Sequence, residues 1–301
     1  MLMAAGLGTR LRPFTLTRTK ALMPVMGVPV AQFAIDAAVA AGVRHLVANV
    51  HHLADQAIAG LRALERGEAG LEISDERELL LGSAGGYRKA LPLLGSGPFL
   101  ALNADVLCDV DLSALFRAHR RLRRSYGVSM TLAVLRAAPA GEMYRRIVVD
   151  ADSSLVTGFG AELEASPPFW AGAAVIEPEA IAGVPDGKPS EFVPMVLQPA
   201  VERRRVGAFV TSGHWHDIGS PELWLRTHLS LIEGLETGRI PALWRRRIER
   251  ASRRIAHGQW ISMSSGRSRG DGWTGPCYFG GERAPRELGP GAIDYGWASL
   301  P

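Results

Sequence analysis

The chain has 301 residues, 47% of them hydrophobic, enough to bury a large core without covalent staples and to build one large α/β domain with an appendage. Its two cysteines, Cys108 and Cys277, argue against a disulfide framework or a cysteine-ligated zinc site and fit a reducing cytoplasm. The formal net charge is +4, yet residues 244–254 (WRRRIERASRR) alone hold six Arg and one Glu, so the excess is local and implies no nucleic-acid-binding face.

The first residues, MLMAAG, read as a short buried strand running straight into a glycine loop. VPVAQFAIDAAVAAGV reads as a helix closed by Gly42, RHLVANVHH as a strand, and LADQAIAGLRALERG as a helix ending at Gly67. GLEIS is a strand, LGSAGG a glycine turn, YRKALPLL a helix, PFLALNAD a buried strand ending in a carboxylate, and DLSALFRAHRRLRR the helix after it. This alternation predicts an α/β fold with a Rossmann-like, doubly wound, mostly parallel sheet whose ligands sit at the strand C-termini. From residue 127 the rhythm changes: GVSMTLAVLR, RRIVVDADSSLVTGFG and FWAGAAVIEP are strand segments, the middle one folded as a hairpin around DADSS. SEFVPMVLQPAVERR returns to helix, VGAFVTSG to strand, and SPELWLRTHLSLIEGL to a helix with Ser220 as N-cap and Pro221 at its first position. The main domain is expected to span 1–238, a basic linker helix 239–258, and a small β-rich extension 259–301. No apolar run approaches the roughly 18 residues of a membrane span, and the N-terminus lacks the basic-then-apolar order of a signal peptide, so no membrane partner is expected.

The chemistry concentrates in MAAGLGTRLRPFTLTRTKALMPV, residues 3–25. A Walker loop needs Gly-Lys-Ser/Thr, which is not there, and the dinucleotide fingerprint needs a third glycine where Leu11 stands, with Pro13 opposing a helix just beyond. What remains is a loop whose backbone amides at Gly6 and Gly8 can approach a polyphosphate, with Arg10 and Arg12 to grip its oxygens and Lys20 to place a point charge on a second phosphate. Asp105 ends a buried apolar strand, where a carboxylate requires a cation or several donors. Asp217 follows another strand in HWHDIG; two carboxylates with phosphate oxygens and water suit Mg²⁺. His214 and His216 lack a closed ligand set and read as pocket or packing residues.

AAGLGTRLRPFT followed by Lys20 resembles the signature of the sugar-1-phosphate nucleotidyltransferases, the NDP-sugar pyrophosphorylases, and the resemblance runs through LGSAGGYRKALPLL, LALNADVL, FWAGAAVIEPEAI and WHDIGSPELWLRTH over roughly residues 1–233. It lies nearest the branch of N-acetylmuramate, mannose and heptose 1-phosphate nucleotidyltransferases. It implies attack by a sugar 1-phosphate on the α-phosphorus of an NTP, UTP or GTP being favoured, with Mg²⁺ as cofactor and pyrophosphate released. By carry-over, Ala5, Gly6, Gly8, Thr9, Gly85 and Gly86 bind the nucleotide, Arg10 holds the leaving phosphates and Lys20 neutralises the α-phosphate. Asp105 and Asp217 hold the metal, while Asn103, Gly172 and Arg145 face the sugar phosphate. The alternative is a non-catalytic relative that binds a nucleotide sugar and regulates a partner.

Three departures from the family pattern stand out. Ala21 follows Lys20 where proline is usual, the first strand lacks two or three preceding residues, and VTGFGAELEASPPF has no lysine where relatives place one on the sugar phosphate, leaving Arg145 or Arg146 to substitute. The tail, with GPCYFG and LGPGAI, resembles worn turns of a left-handed β-helix that would pack through Trp260, Trp273, Tyr278, Phe279 and Trp297 on the main domain or on a second copy in a homo-oligomer.

Overall fold

The computed structural model describes residues 1–136, 144–160, 168–256, 259–262, 278–279, 293–294 and 299–300. In chain order the elements are β1 (Leu2–Met3), β2 (Pro24–Val25), β3 (Val28–Pro29), α1 (Val30–Ala40), β4 (His45–Val50), α2 (Ala54–Ala63), β5 (Gly70–Asp75), α3 (Gly82–Leu94), β6 (Phe99–Asn103), β7 (Val106–Cys108) and α4 (Leu112–Tyr126). There follow β8 (Met130–Leu135), β9 (Ile147–Val149), β10 (Val156–Phe159), β11 (Phe169–Ile176), α5 (Pro178–Ala182), a π-turn at Val193–Leu197, α6 (Gln198–Glu202), β12 (Val206–Thr211), β13 (Trp215–Asp217), α7 (Pro221–Thr237) and α8 (Ala242–Ala251). The tail supplies β14 (Ser252–Ala256), β15 (Gln259–Ser262), β16 (Tyr278–Phe279), β17 (Ile293–Asp294) and β18 (Ser299–Leu300).

Seven strands form one sheet in the order β12-β8-β11-β6-β1-β4-β5. All neighbours run parallel except around β11, which is antiparallel to both β6 and β8. Side chains alternate across the sheet: Leu46, Ala48 and Val50 pack with Ala34, Ile35, Leu61 and Leu115 on one face, while Val47 joins Ala84, Tyr87, Ile181 and Leu197 on the other. Helices therefore cover both faces, the doubly wound arrangement that alternating strands and helices predict. Ser220 caps α7, its hydroxyl accepting from the Leu223 amide at 3.3 Å, with Pro221 in the first turn.

Three expectations change. The glycines of LGSAGG do not form a turn; they open α3, because the Ser190 carbonyl accepts from the Ala84 and Gly85 amides at 2.8 and 3.1 Å and so caps the helix start. The Arg-rich segment is a docked helix: Trp244 and Ile248 are 1% and 0% exposed, and Arg247 makes two bonds to Asp36, of 2.7 and 2.8 Å, and one of 2.8 Å to Glu65. The described tail strands pair antiparallel in the order β14-β15-β16-β17-β18, unlike the parallel coils of a β-helix. Trp260 is buried in the core cluster that also holds Trp244; Trp273 and Trp297 lie outside the described residues.

Candidate active site

The opening loop is tied down from α2 and the residues before it. His52 bonds the Thr15 carbonyl at 2.6 Å, and Gln56 accepts from the Thr19 amide at 3.0 Å and donates to the Thr17 carbonyl at 2.8 Å. Gly8 sits at φ +62°, and a Cβ there would lie 2.8 Å from Thr15 Cγ2 and 3.3 Å from Lys20 Cβ. This glycine is needed twice, for its left-handed backbone and for the close approach of Lys20. Gly6 has nothing within 4 Å of where a Cβ would stand, so its backbone is open. Thr9 and Arg10 are exposed in the short turn Thr9–Leu11.

Long-range pairing brings the two carboxylates together. β7 pairs antiparallel with β13 in a register that sets Val106 opposite Asp217, so Asp105, one residue earlier, stands beside it. Lys20 Nζ lies 2.5 Å from Asp105 Oδ2 and 3.6 Å from Asp217 Oδ1. Burial raises the Asp217 carboxyl above the usual range; Lys20 opposes that rise, Asp105 adds to it, and Arg10 opposes it from further off. Gly219 makes room: a Cβ there would meet Asp217 Oδ2 at 2.8 Å and Arg10 Nη2 at 2.9 Å. Four predicted residues, Arg10, Lys20, Asp105 and Asp217, thus share one locus.

Beside it opens a cavity of about 300 Å³ lined by Met3, Ala5, Gly6, Asn49, Leu80, Gly82, Ser83, Asn103, Asp105 and Glu191. Asn49 braces it from below, accepting from the Ala4 amide at 2.8 Å and donating to the buried Glu76 at 2.8 Å; burial raises the Glu76 carboxyl. Asn103 packs over Gly172, whose φ is +79° and whose missing Cβ would stand 2.8 Å from Asn103 Nδ2.

Other predicted residues stand elsewhere. Gly85 and Gly86 are buried inside α3; Cβ atoms on them would meet the Lys188 carbonyl at 2.8 Å and Asn49 Nδ2 at 2.7 Å. Their bareness serves packing against the chain itself, and the glycine segment presents Gly82 and Ser83 to the cavity instead. Arg145 is exposed and rests over the Phe159 ring at 5.2 Å, a contact within its own hairpin. Residues 161–167, half of the lysine-free stretch, lie outside the described residues. His214 meets the Trp244 ring edge-on at 6.1 Å and His216 meets it tilted at 6.0 Å, and burial lowers His216 to about 4. Among the described residues no three His, Cys, Asp or Glu side chains are grouped to hold a metal, so a cation here would draw further oxygens from substrate or water. Sequence reasoning missed Ser83, Asn49, Gly219 and Glu191. Gly219 alone had a local signal, following Asp217 closely in HDIGS.

The nucleotidyl transferase family profile matches residues 1–156. An N-acetylmuramate alpha-1-phosphate uridylyltransferase of Caulobacter vibrioides is 34% identical over 241 residues, 77% of this chain and 96% of that protein. The mannose-1-phosphate guanylyltransferase catalytic subunit beta of Danio rerio is 29% identical over 75% of this chain but only 62% of its own length. The crystal structure of HddC from Yersinia pseudotuberculosis shares the fold, with a TM-score of 0.62 at 20% identity over 76% of this chain and 97% of that one. The chain belongs to the nucleotidyl transferase family, among its sugar-1-phosphate nucleotidyltransferases.

Proposed function

We propose that the protein transfers a nucleotidyl group from a nucleoside triphosphate to a sugar 1-phosphate, with Mg²⁺ held by Asp105 and Asp217, and releases pyrophosphate. The observation that carries the reading is Lys20 poised between the two carboxylates at the lip of a cavity lined by Ala5, Gly6 and Asn103. The donor set fits the ion: two converging carboxylates, one of them disfavoured in its charged form by burial, make a locus that takes hard cations. When bound, such an ion supplies positive charge to the phosphate oxygens of both substrates.

In this reading the Gly6 amide and the Arg10 guanidinium bind the β- and γ-phosphates, and Lys20 swings from the carboxylates onto the α-phosphate. An anionic oxygen of the sugar phosphate forms a bond to the α-phosphorus. The bond from that phosphorus to the bridging oxygen breaks, and its electron pair leaves on pyrophosphate. No proton must be removed from the attacking group and no protein nucleophile is required, so the chain's work is positioning and charge neutralisation. Asn103, set by Gly172, faces the sugar.

Pyrophosphate release is measured for each NTP against a panel of sugar 1-phosphates, with and without Mg²⁺. At least one pairing turns over in a Mg²⁺-dependent way, and Asp105→Asn lowers its kcat by about 10²–10³ while circular dichroism stays unchanged. Near-normal Mg²⁺-dependent turnover in that variant contradicts the reading.

A further inference from the structure

One wall of the 300 Å³ cavity has no task in the chemistry above. Gly6, Arg10, Lys20 and the carboxylates draw the triphosphate, which directs the nucleobase toward the remaining lining, Leu80, Gly82, Ser83 and Glu191. Leu80 supplies an apolar surface for a base to lie on. Among the described side chains of that wall, the Glu191 carboxylate keeps one oxygen, Oε1, outside the hydrogen bond from Ser83.

Its position is fixed from several sides. The Ser190 carbonyl is anchored on the start of α3 through the Ala84 and Gly85 amides. Ser83 Oγ donates to Glu191 Oε2 at 2.7 Å and accepts from the Phe192 amide at 2.8 Å. Gly82, at φ +69°, is bare on the side where a Cβ would stand 2.7 Å from Glu191 Oε1. One carboxylate oxygen is thus held by a hydroxyl, while the other lies over a glycine in a cavity wall. Glu191 itself is exposed, so a ligand entering the cavity can reach it.

We infer that Glu191 reads the nucleobase and that the base it selects is guanine. This rests on the nucleotidyl-transfer reading and adds the identity of the nucleotide. A carboxylate only accepts hydrogen bonds, so it favours an edge with adjacent donors. Guanine offers N1–H and the exocyclic N2–H side by side. Uracil offers one N3–H between two carbonyl oxygens, which a carboxylate repels; adenine and cytosine offer one amino group beside an unprotonated ring nitrogen. Glu191 therefore matches guanine, whose two adjacent donors it can accept, and opposes uracil, whose carbonyl oxygens would face the carboxylate.

The test compares kcat/KM for GTP, ITP and UTP in the wild type and in Glu191→Gln, with the best sugar 1-phosphate from the panel. ITP lacks the exocyclic amino group. The wild type is expected to prefer GTP over UTP by about 100-fold and over ITP by about tenfold, and both ratios should fall about tenfold in the variant. Glutamine keeps the volume and an acceptor for Ser83, so the wall should persist. Calorimetric binding of GDP against UDP reads the same choice without turnover. A wild type that prefers UTP, or a GTP-to-ITP ratio unmoved by the substitution, overturns the assignment. Preferential GDP binding without pyrophosphate release from any triphosphate would instead sink the catalytic reading and support Glu191.

Discussion

Lys20→Met keeps the side-chain length and removes the charge between Asp105 and Asp217. Lys20 and Asp217 are 11% and 12% exposed, while Asp105 is 31% exposed. Stripping one partner from a fully buried ion pair costs about 3–5 kcal/mol, because the charge left behind has no compensation. Water reaches Asp105, so the expected loss here is smaller, about 2–3 kcal/mol. Mg²⁺ should restore it: a ligand at 100 times its Kd stabilises the folded state by about 2.7 kcal/mol. In the wild type Lys20 already occupies the cation's electrostatic role, so without nucleotide the same Mg²⁺ should add little. Urea unfolding of both proteins at pH 7, with Mg²⁺ or with NaCl at matched ionic strength, measures this directly. Equal stability of variant and wild type without metal, or equal stabilisation of the two by Mg²⁺, would refute the argument that Lys20 neutralises the pair.

Gly172→Ala places a methyl 2.8 Å from Asn103 Nδ2 on a backbone at φ +79°; it should cost about 1–3 kcal/mol and raise KM for the sugar phosphate more than KM for the triphosphate, read by steady-state kinetics. Trp244→Ala empties a 1%-exposed site against Phe33, His214 and His216 and should lower unfolding stability by about 3–5 kcal/mol in urea. His228 is buried with its Nδ1–H donated to the Trp224 carbonyl at 2.8 Å and its Nε2 accepting from the Met26 amide at 3.2 Å, and burial lowers it from 6.5 to about 4. The unfolded chain then binds this proton first, so up to about 3 kcal/mol of stability, complete above pH 6.5, is lost as pH falls toward 4. A His228→Gln variant should show a shallower acid dependence of the urea midpoint over that window.

Element order is readable because each strand and helix carries its own period: HLVANV is buried almost throughout and DLSALFRAHRRLRR turns its leucines to one face. The misreadings come from tertiary contacts that local pattern does not encode. LGSAGG has a turn's composition, yet the Ser190 carbonyl, over 100 residues on, makes it a helix start. The helix expected to end at Gly67 stops at Ala63, with Leu64 already extended. At the site, Asp105 and Asp217 were legible one at a time, as carboxylates ending apolar strands. Their meeting depends on β7 pairing with β13, a register no local spacing reveals. Glu191 gave no signal at all, since its partner Ser83 lies 108 positions away.

The same pairing gives the Arg-rich helix a place in the site's architecture. Adjacent residues on a strand point to opposite faces, so when Asp217 turns to Lys20, His216 turns away from it. What His216 meets is Trp244 of α8, with His214 on the same ring. Behind them Arg247 pins α8 to Asp36 on α1, and Ser252 Oγ bonds the Met26 carbonyl at 2.7 Å, close to the end of the opening loop. A segment whose composition suggests a solvated connector is thus the backing of the strand that presents Asp217. Loosening α8 should therefore displace a carboxylate as well as soften a core. The two effects separate in Arg247→Ala: its charges lie far from the cavity in sequence and contact, so any fall in kcat at full folding reports movement of β13.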